Sequence, residues 1–345
     1  MSTRDDSRPG TEEEPVLVGV DLGGTKIAAC LVTVSGQLRG EVHQVPTPGR
    51  EGSAAMLAAI AGLVGQVVAA GTHGGRSPRP LAVGIGSAGI IDARSGVVLS
   101  ATDAIAGWPG TNVADGVARL LPGAGVLAPD GQAPLVHVDN DVNAYAAGEA
   151  WLGAGHGASS ALVVAVGTGV GGALVLGGAV HHGTHFLAGE IGHMPSQAAA
   201  GEPCTCGKSG HLEAVAAGPQ IARRYREATG ETSVTTALEV ERRAQGGDVV
   251  AQRVYEEAAV ALGRGIAQIV TAVDPQRVII SGGLARSGDL WWQPLRRTVA
   301  DELIELIADS TELLPATLGT MAPIIGAAHE AWLRLPQAAG ERNEA

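Results

Sequence analysis

The pattern that most restricts this chain occurs twice. VLVGV at 16–20 leads through Asp21-Leu22-Gly23-Gly24-Thr25-Lys26 into IAACLVTV at 27–34, and ALVVAV at 161–166 leads through Gly167-Thr168-Gly169-Val170-Gly171-Gly172 into ALVLGG. Each is an apolar run, a turn containing glycine and threonine, and a second apolar run, which is the sequence form of a β-hairpin. The second turn matches GxGxxG, with Glu190 near the spacing of a ribose-binding acid. A dinucleotide site needs a helix after its glycines, however, and ALVLGGAV reads as a strand. At the first turn Gly23 and Gly24 let backbone N–H groups face an anion, Thr25 can donate a hydroxyl, Lys26 supplies charge and Asp21 can hold a hydrated Mg²⁺. The competing reading is an ordinary hairpin turn. Two such turns facing one another would hold the phosphates of a nucleotide from both sides. A Walker A loop is absent, because the glycine upstream of Gly207-Lys208-Ser209 stands at 201, one residue too far.

The rest of the chain alternates strand and helix patterns. A third strand near 40–45 extends the first hairpin, apolar residues recur at helical spacing over 52–70, and strands follow at 81–87, 135–138 and 277–283. A helix is expected over about 142–153. The chain is largely helical after residue 213, and the last helix, PIIGAAHEAWLRL at 323–335, should pack back on the first domain. This is an α/β protein of two domains or one large bilobal unit. The expected boundaries are an acidic, disordered tail at 1–15, a small domain at 16–139 plus 323–335, a large one at 140–322, and a flexible tail at 336–345. Aromatic residues are only 3%, so the core must be built from Ala, Val, Leu and Ile with close helix packing.

A formal charge of −12 argues against a nucleic-acid surface or an anionic membrane as partner, but not against phosphates held by backbone N–H groups. The N-terminal residues lack the apolar core of a signal peptide and the length of a helix-turn-helix module. No apolar run of membrane-spanning length is expected. An odd number of cysteines, two of them as Cys204-Thr205-Cys206, points to a reducing cytoplasm.

Two clusters carry chemistry. Asp139-Asn140-Asp141 stands where the strand at 135–138 meets its helix. Such residues cap helices, and they also face ligands at the carboxyl ends of strands in open α/β sheets; three exceed what one cap requires. His193, Cys204, Cys206 and His211 offer four ligands of the kind Zn²⁺ takes in a closed structural shell. Gly207 and Gly210 would allow the turn that returns His211 to Cys206. The alternative is a polar loop with an incidental thiol pair; a disulfide across one residue would be strained. A metal fixing this loop would also fix Glu190 and Glu213, which bracket it.

DLGGTKI at 21–27, VDNDVNAYAAGE at 138–149, VGTGVGG at 166–172, EIGH at 190–193, CTCGKSGHLE at 204–213 and ISGG at 280–283 together resemble the sugar kinases of the Repressor, ORF, Kinase (ROK) family. The resemblance spans about residues 16–335. It implies the two-domain actin-like or hexokinase-like ATPase fold (ribonuclease H-like), with ATP, Mg²⁺ and a hexose in the interdomain cleft and a structural zinc. By motif, Asp141 is the implied general base. Asn140, Glu190, His193 and Glu213 are implied sugar ligands, with Gly89 and Thr102 in the cleft-lining segment. Gly167, Thr168 and Gly169 form the second phosphate turn, and Gly282 and Gly283 the adenosine loop. His193 would bind zinc through one ring nitrogen and sugar through the other.

Two positions depart from the family pattern. His211 stands where the family usually has cysteine. Thr102 stands where glucokinase-like members tend to have asparagine; it resembles the N-acetylmannosamine kinases, although Ile90 replaces the arginine those share. The function implied is therefore hexose 6-phosphorylation with glucose first and N-acetylmannosamine second. A sugar-responsive regulator or a non-catalytic sugar-binding protein is the reading from another class. The apolar helices after residue 213 make a homodimer or a higher homo-oligomer the expected assembly.

Overall fold

The structure is a computed structural model that describes residues 14–102 and 105–336. Apart from residues 14, 15 and 336, the two expected tails lie outside the described residues.

The first half contains β1 (Val16–Leu22), β2 (Lys26–Thr33), β3 (Leu38–Pro46), α1 (Ser53–Ala70), β4 (Ala82–Ser87), β5 (Ile90–Asp92), β6 (Val97–Ser100), α2 (Val113–Leu120) and β7 (Leu135–Asn140). The linking helix α3 (Asp141–Leu152) follows β7 without a break. The second half contains β8 (Ser160–Val166), β9 (Val170–Leu176), β10 (Ala179–His181), α4 (Glu213–Ala216), α5 (Gly218–Thr229), α6 (Ala237–Gln245) and α7 (Val249–Val273). It ends with β11 (Arg277–Ser281), α8 (Asp289–Glu302), α9 (Glu305–Ala308), β12 (Glu312–Pro315) and α10 (Ala322–Leu333).

The two repeated hairpins nucleate two sheets of one topology. Their strand orders are β3-β2-β1-β4-β7 and β10-β9-β8-β11-β12. In each, the first three strands of the half form an antiparallel meander, and two further strands add in parallel beside the first. Parallel strands need crossovers, and the helices that supply them cover the sheet faces.

β1 is apolar throughout because both of its faces are covered. Val16, Val18, Val20 and Leu22 join one cluster with Met56, Ile60 and Val64 of α1, whereas Leu17 joins another with Ile324 and Ala328 of α10. The period of two along the strand sorts these side chains to opposite faces. On the α10 face, glycines set the distance. A Cβ at Gly19 would lie 1.9 Å from the Ile324 carbonyl oxygen, and one at Gly84 1.8 Å from that of Ala327. α10 in turn crosses α3 closely, since a Cβ at Gly326 would lie 1.9 Å from the Ala144 oxygen and one at Gly148 2.3 Å from the Ala322 oxygen. The far side of α3 packs on the second sheet, where Ala146 meets Val163, Val175 and Ile279. The α3–α10 pair thus fills the space between the two sheets. The other face of the second sheet is covered by a large core that includes α7 and α8.

One expectation needs correction. α1 has both the length and the mean hydropathy of a membrane span. Its residues Met56, Ile60, Leu63, Val64 and Val67 are nonetheless buried in the core of the first half.

Candidate active site

The carboxyl ends of the strands and the start of α3 converge on a cleft between the halves. β1 ends near Asp21, paired in register with Ala28 of β2 and Gly86 of β4. The following turn is closed by a hydrogen bond from the Gly23 N–H to the Lys26 oxygen (3.0 Å), and Thr47 braces it by donating its hydroxyl to the Gly23 oxygen (2.7 Å). The second turn is closed from the Gly167 N–H to the Gly169 oxygen (2.9 Å), and the Gly218 N–H at the start of α5 donates to the Gly167 oxygen (2.8 Å).

A cavity of about 470 Å³ lies in the cleft, lined by Asp21 and Lys26 from the first hairpin, Asp141 from α3, and Gly282, Gly283 and Arg286 after β11. A neighbouring cavity of about 520 Å³ is lined by Gly167 and Thr168, by Gly218 and Pro219, and by residues 235–238 ahead of and in α6. Gly283 and Arg286 border both, so the two form one path long enough for an extended ligand. Gly282 has φ 90°, and a Cβ there would lie 2.3 Å from the Val166 oxygen, so only glycine fits. The turn at Gly23–Thr25 contributes its neighbours Asp21 and Lys26 to this lining, but not Gly23, Gly24 or Thr25 themselves.

At the start of α3, Asn140 has two functions at once. Its side-chain oxygen accepts from the N–H groups of Val142 (2.8 Å) and Asn143 (3.2 Å), an N-cap, while its amide nitrogen donates to the Gly89 oxygen (2.8 Å). Asp141 accepts from the Val142 N–H (3.0 Å), and burial raises its carboxyl above the ordinary range. Its charge is felt by its neighbours. Burial first and Asp141 second push Asp21 up to about 6, against which Lys26 acts; burial, Asp141 and Glu213 push Glu190 up to about 7. Asp141 thus acts on both Asp21 and Glu190, and raised carboxyl groups gathered in this way mark a candidate acid–base site.

Glu213 is held from two sides. One oxygen accepts from the Val170 N–H (3.0 Å) and the other from the Thr205 hydroxyl (2.5 Å), which stands between the two cysteines. Gly169 makes room for it, since a Cβ there would lie 2.7 Å from the Glu213 carboxylate. Thr102 is exposed beyond β6, outside the lining of either cavity, and the next two residues lie outside those described.

The four expected metal ligands come together, with one donor atom from each lying within 4.8 Å of the others. Cys204 Sγ is 3.7 Å from His193 Nδ1, and Cys206 Sγ is 3.3 Å from His211 Nδ1. A tetrahedral zinc with ordinary bond lengths sets sulfur and nitrogen about 3.5 Å apart, so the donor set fits that ion. Gly207 and Gly210 take φ of 83° and 84°, the left-handed turns this return requires.

Sequence reasoning missed Arg286, Tyr145 and residues 235–238, all of which line the cavities. It also missed Glu149. This glutamate is fully buried in α3 and accepts from the N–H groups of Ala154, Thr317 and Leu318, which pins the segment that follows β12 at the rim of the cleft.

The ROK family model matches residues 17–333. The chain belongs to the ROK family. A glucokinase of Halalkalibacterium halodurans is 34% identical over 321 residues, covering 90% of this chain and 92% of that protein. An N-acetylmannosamine kinase of Escherichia coli O1:K1 is 33% identical over 271 residues, 77% of this chain and 82% of that one. The crystal structure of a ROK glucokinase from Streptomyces griseus in complex with glucose and AMPPNP is 30% identical, with a TM-score of 0.74 over 92% of this chain and 99% of that one. The fold is therefore the actin-like ATPase fold of ROK sugar kinases, as the motifs implied.

Proposed function

We propose that this ROK sugar kinase uses ATP and Mg²⁺ to phosphorylate the 6-hydroxyl of a hexose, with glucose as the first substrate. The observation that carries the reading is the position of Asp141, between a nucleotide-sized path and the carboxylates Glu190 and Glu213. Phosphoryl transfer needs alignment and charge neutralisation more than covalent chemistry. The desolvated Asp141 carboxylate takes the proton of the attacking sugar hydroxyl, and burial raises its affinity for that proton. Glu190, titrating at about 7, can be either donor or acceptor to a sugar hydroxyl. Asn140, His193 and Glu213 complete the sugar subsite. Asp21 orients a hydrated Mg²⁺ on the phosphates, Lys26 adds charge, the turn at 167–169 cradles phosphate oxygens, and Gly282–Gly283 accept the adenosine. Structural zinc on His193, Cys204, Cys206 and His211 would hold the loop rigid. The free thiols fit a reducing cytoplasm, and homodimer formation belongs to the same reading.

The test is ADP release from Mg-ATP with glucose, N-acetylmannosamine, N-acetylglucosamine, mannose and fructose, with zinc measured on the same preparation. Preference for glucose is expected. Silence across the panel from folded, zinc-loaded protein would refute the kinase reading. Thr102 and the similarity to the N-acetylmannosamine kinase favour a second reading, N-acetylmannosamine as the acceptor. Turnover of that sugar with none on glucose would establish it.

A further inference from the structure

Outside the catalytic cleft, a second junction between the halves has a charge unlike the rest of this acidic chain. A cavity of about 420 Å³ is bordered by the start of β7, the β5–β6 turn, the loop after β10 and the end of α10. Its polar lining is Arg94, His137, His182 and Arg334, and no carboxylate among the described residues lines it.

His137 is 5% exposed, and its Nε2 is closed off from solvent without a hydrogen-bond partner. Leaving a buried polar atom unpaired costs about 1–3 kcal/mol, so such an atom calls for a missing partner. Burial first, and Arg334 second, hold this imidazole well below its usual range, at about 3. At neutral pH it is uncharged and retains one N–H to donate.

The acids behind the cavity are already engaged. Asp139 accepts from His182 Nε2 (2.6 Å), Asn143 Nδ2 (2.9 Å) and the Asn140 N–H (2.7 Å), and Glu330 accepts from Arg334 (2.7 Å). His137, Asp139 and Glu330 stand close enough to suggest a cation site, but His182 and Arg334 already pair with the two carboxylates and Arg94 adds positive charge.

The wall also carries backbone strain. Phe186 is the only phenylalanine of the chain and has φ 58°, a left-handed conformation unusual for a bulky residue. In that conformation its ring lies 5.4 Å beneath the Arg94 guanidinium and edge-on to His182 at 6.4 Å. It therefore orients basic groups from both halves toward one space.

We propose that this cavity binds the phosphate group of inorganic phosphate or a phosphate monoester, through Arg94 and Arg334 with the His137 imidazole at its floor, separately from the catalytic cleft. The bound anion bridges Arg94 of the first half and the Phe186 loop of the second. It also contacts β7 four residues before Asp141, where it can influence the base from behind.

The test is calorimetric titration of the whole chain, preloaded with glucose and Mg-AMPPNP, with inorganic phosphate in one arm and glucose 6-phosphate in the other. Saturable binding of one anion per chain is expected, weakened tenfold or more by Arg94→Ala, an exposed position, and at least threefold by His137→Gln. Comparable affinity in both arms assigns the site to phosphate alone, and tighter binding of glucose 6-phosphate assigns it to the monoester. Loss of binding on preloading would locate the anion in the catalytic cleft and overturn the proposal. Binding undiminished in both variants, or no binding at millimolar anion, would overturn it as well. So would titration of Mn²⁺ that is lost in His137→Gln, which would establish a metal site instead.

Discussion

Asp141→Asn separates catalysis from stability, because the same carboxylate is needed for one and costly to the other. The substitution is isosteric, and asparagine's side-chain oxygen can still accept from the Val142 N–H, so the start of α3 is preserved. Without the base, kcat should fall about a hundred- to ten-thousand-fold while sugar affinity changes little. Stability should move in the opposite direction. Asp21 rises from 3.8 to about 6 and Glu190 from 4.5 to about 7, with Asp141 the second cause at each after burial. At Glu190 its share is thus less than half of the rise, at most about 1.7 kcal/mol, and at Asp21 it is of the same order. Solvent in the open cleft reduces this further, leaving about 1 kcal/mol in total. The sign follows from linkage. Carboxyls whose folded values are raised favour the fold most below about pH 4, and that contribution is lost as pH rises through about 6 and 7. Asp141→Asn should therefore unfold at higher urea than the parent at pH 8, with a smaller difference at pH 5, both measured without ligands. Turnover within threefold of the parent would remove Asp141 from the mechanism. An equal stability gain at both pH values would refute the electrostatic account.

Thr205→Val removes the hydroxyl that orients Glu213, and should raise KM for the sugar about tenfold while leaving KM for ATP and kcat nearly unchanged. An unaltered sugar KM would show that the bond does not position Glu213. His211→Ala should lose zinc during dialysis against EDTA and His211→Cys should retain it, as read by elemental analysis; one zinc per chain in the alanine variant would exclude His211 as a ligand. Gly326→Ala forces a methyl group into the Ala144 carbonyl and the Gly148 nitrogen of α3, and should cost about 3 kcal/mol in urea unfolding. A loss below about 1 kcal/mol would mean the two helices can separate cheaply.

Both hairpins were legible because each places glycines directly after a short, continuously apolar strand, and the paired topology of the sheets follows from those two units. β12 was not: its four residues are half-exposed and end in Pro315, which leaves no periodic signal. Within the cleft, the contiguous motifs could be read, but Arg286 and residues 235–238 could not, since they become neighbours only through the crossovers, and Tyr145, one turn after Asp141, gave no sign of which way it would face. Glu149 was hidden for a different reason. A lone glutamate in a helix looks like a solvated side chain, and only the fold shows that three backbone N–H groups, one just past the helix and two from the segment after β12, converge on it. The Asn140 cap and its link to Gly89 illustrate the remaining ambiguity, because one side chain meets both the local and the long-range demand.

The close crossing of α3 and α10 also limits how the two halves can move. Helices in backbone contact at glycines cannot slide without collision, but they can rotate about the contact. The crossing is thus a fulcrum, and displacement grows with distance from it. Asp141 begins the same helix that carries Gly148, so it moves with the fulcrum, whereas the turns at 23–25 and 167–169 belong to separate sheets. Opening and closing would change how the phosphates are gripped while the base hardly moves.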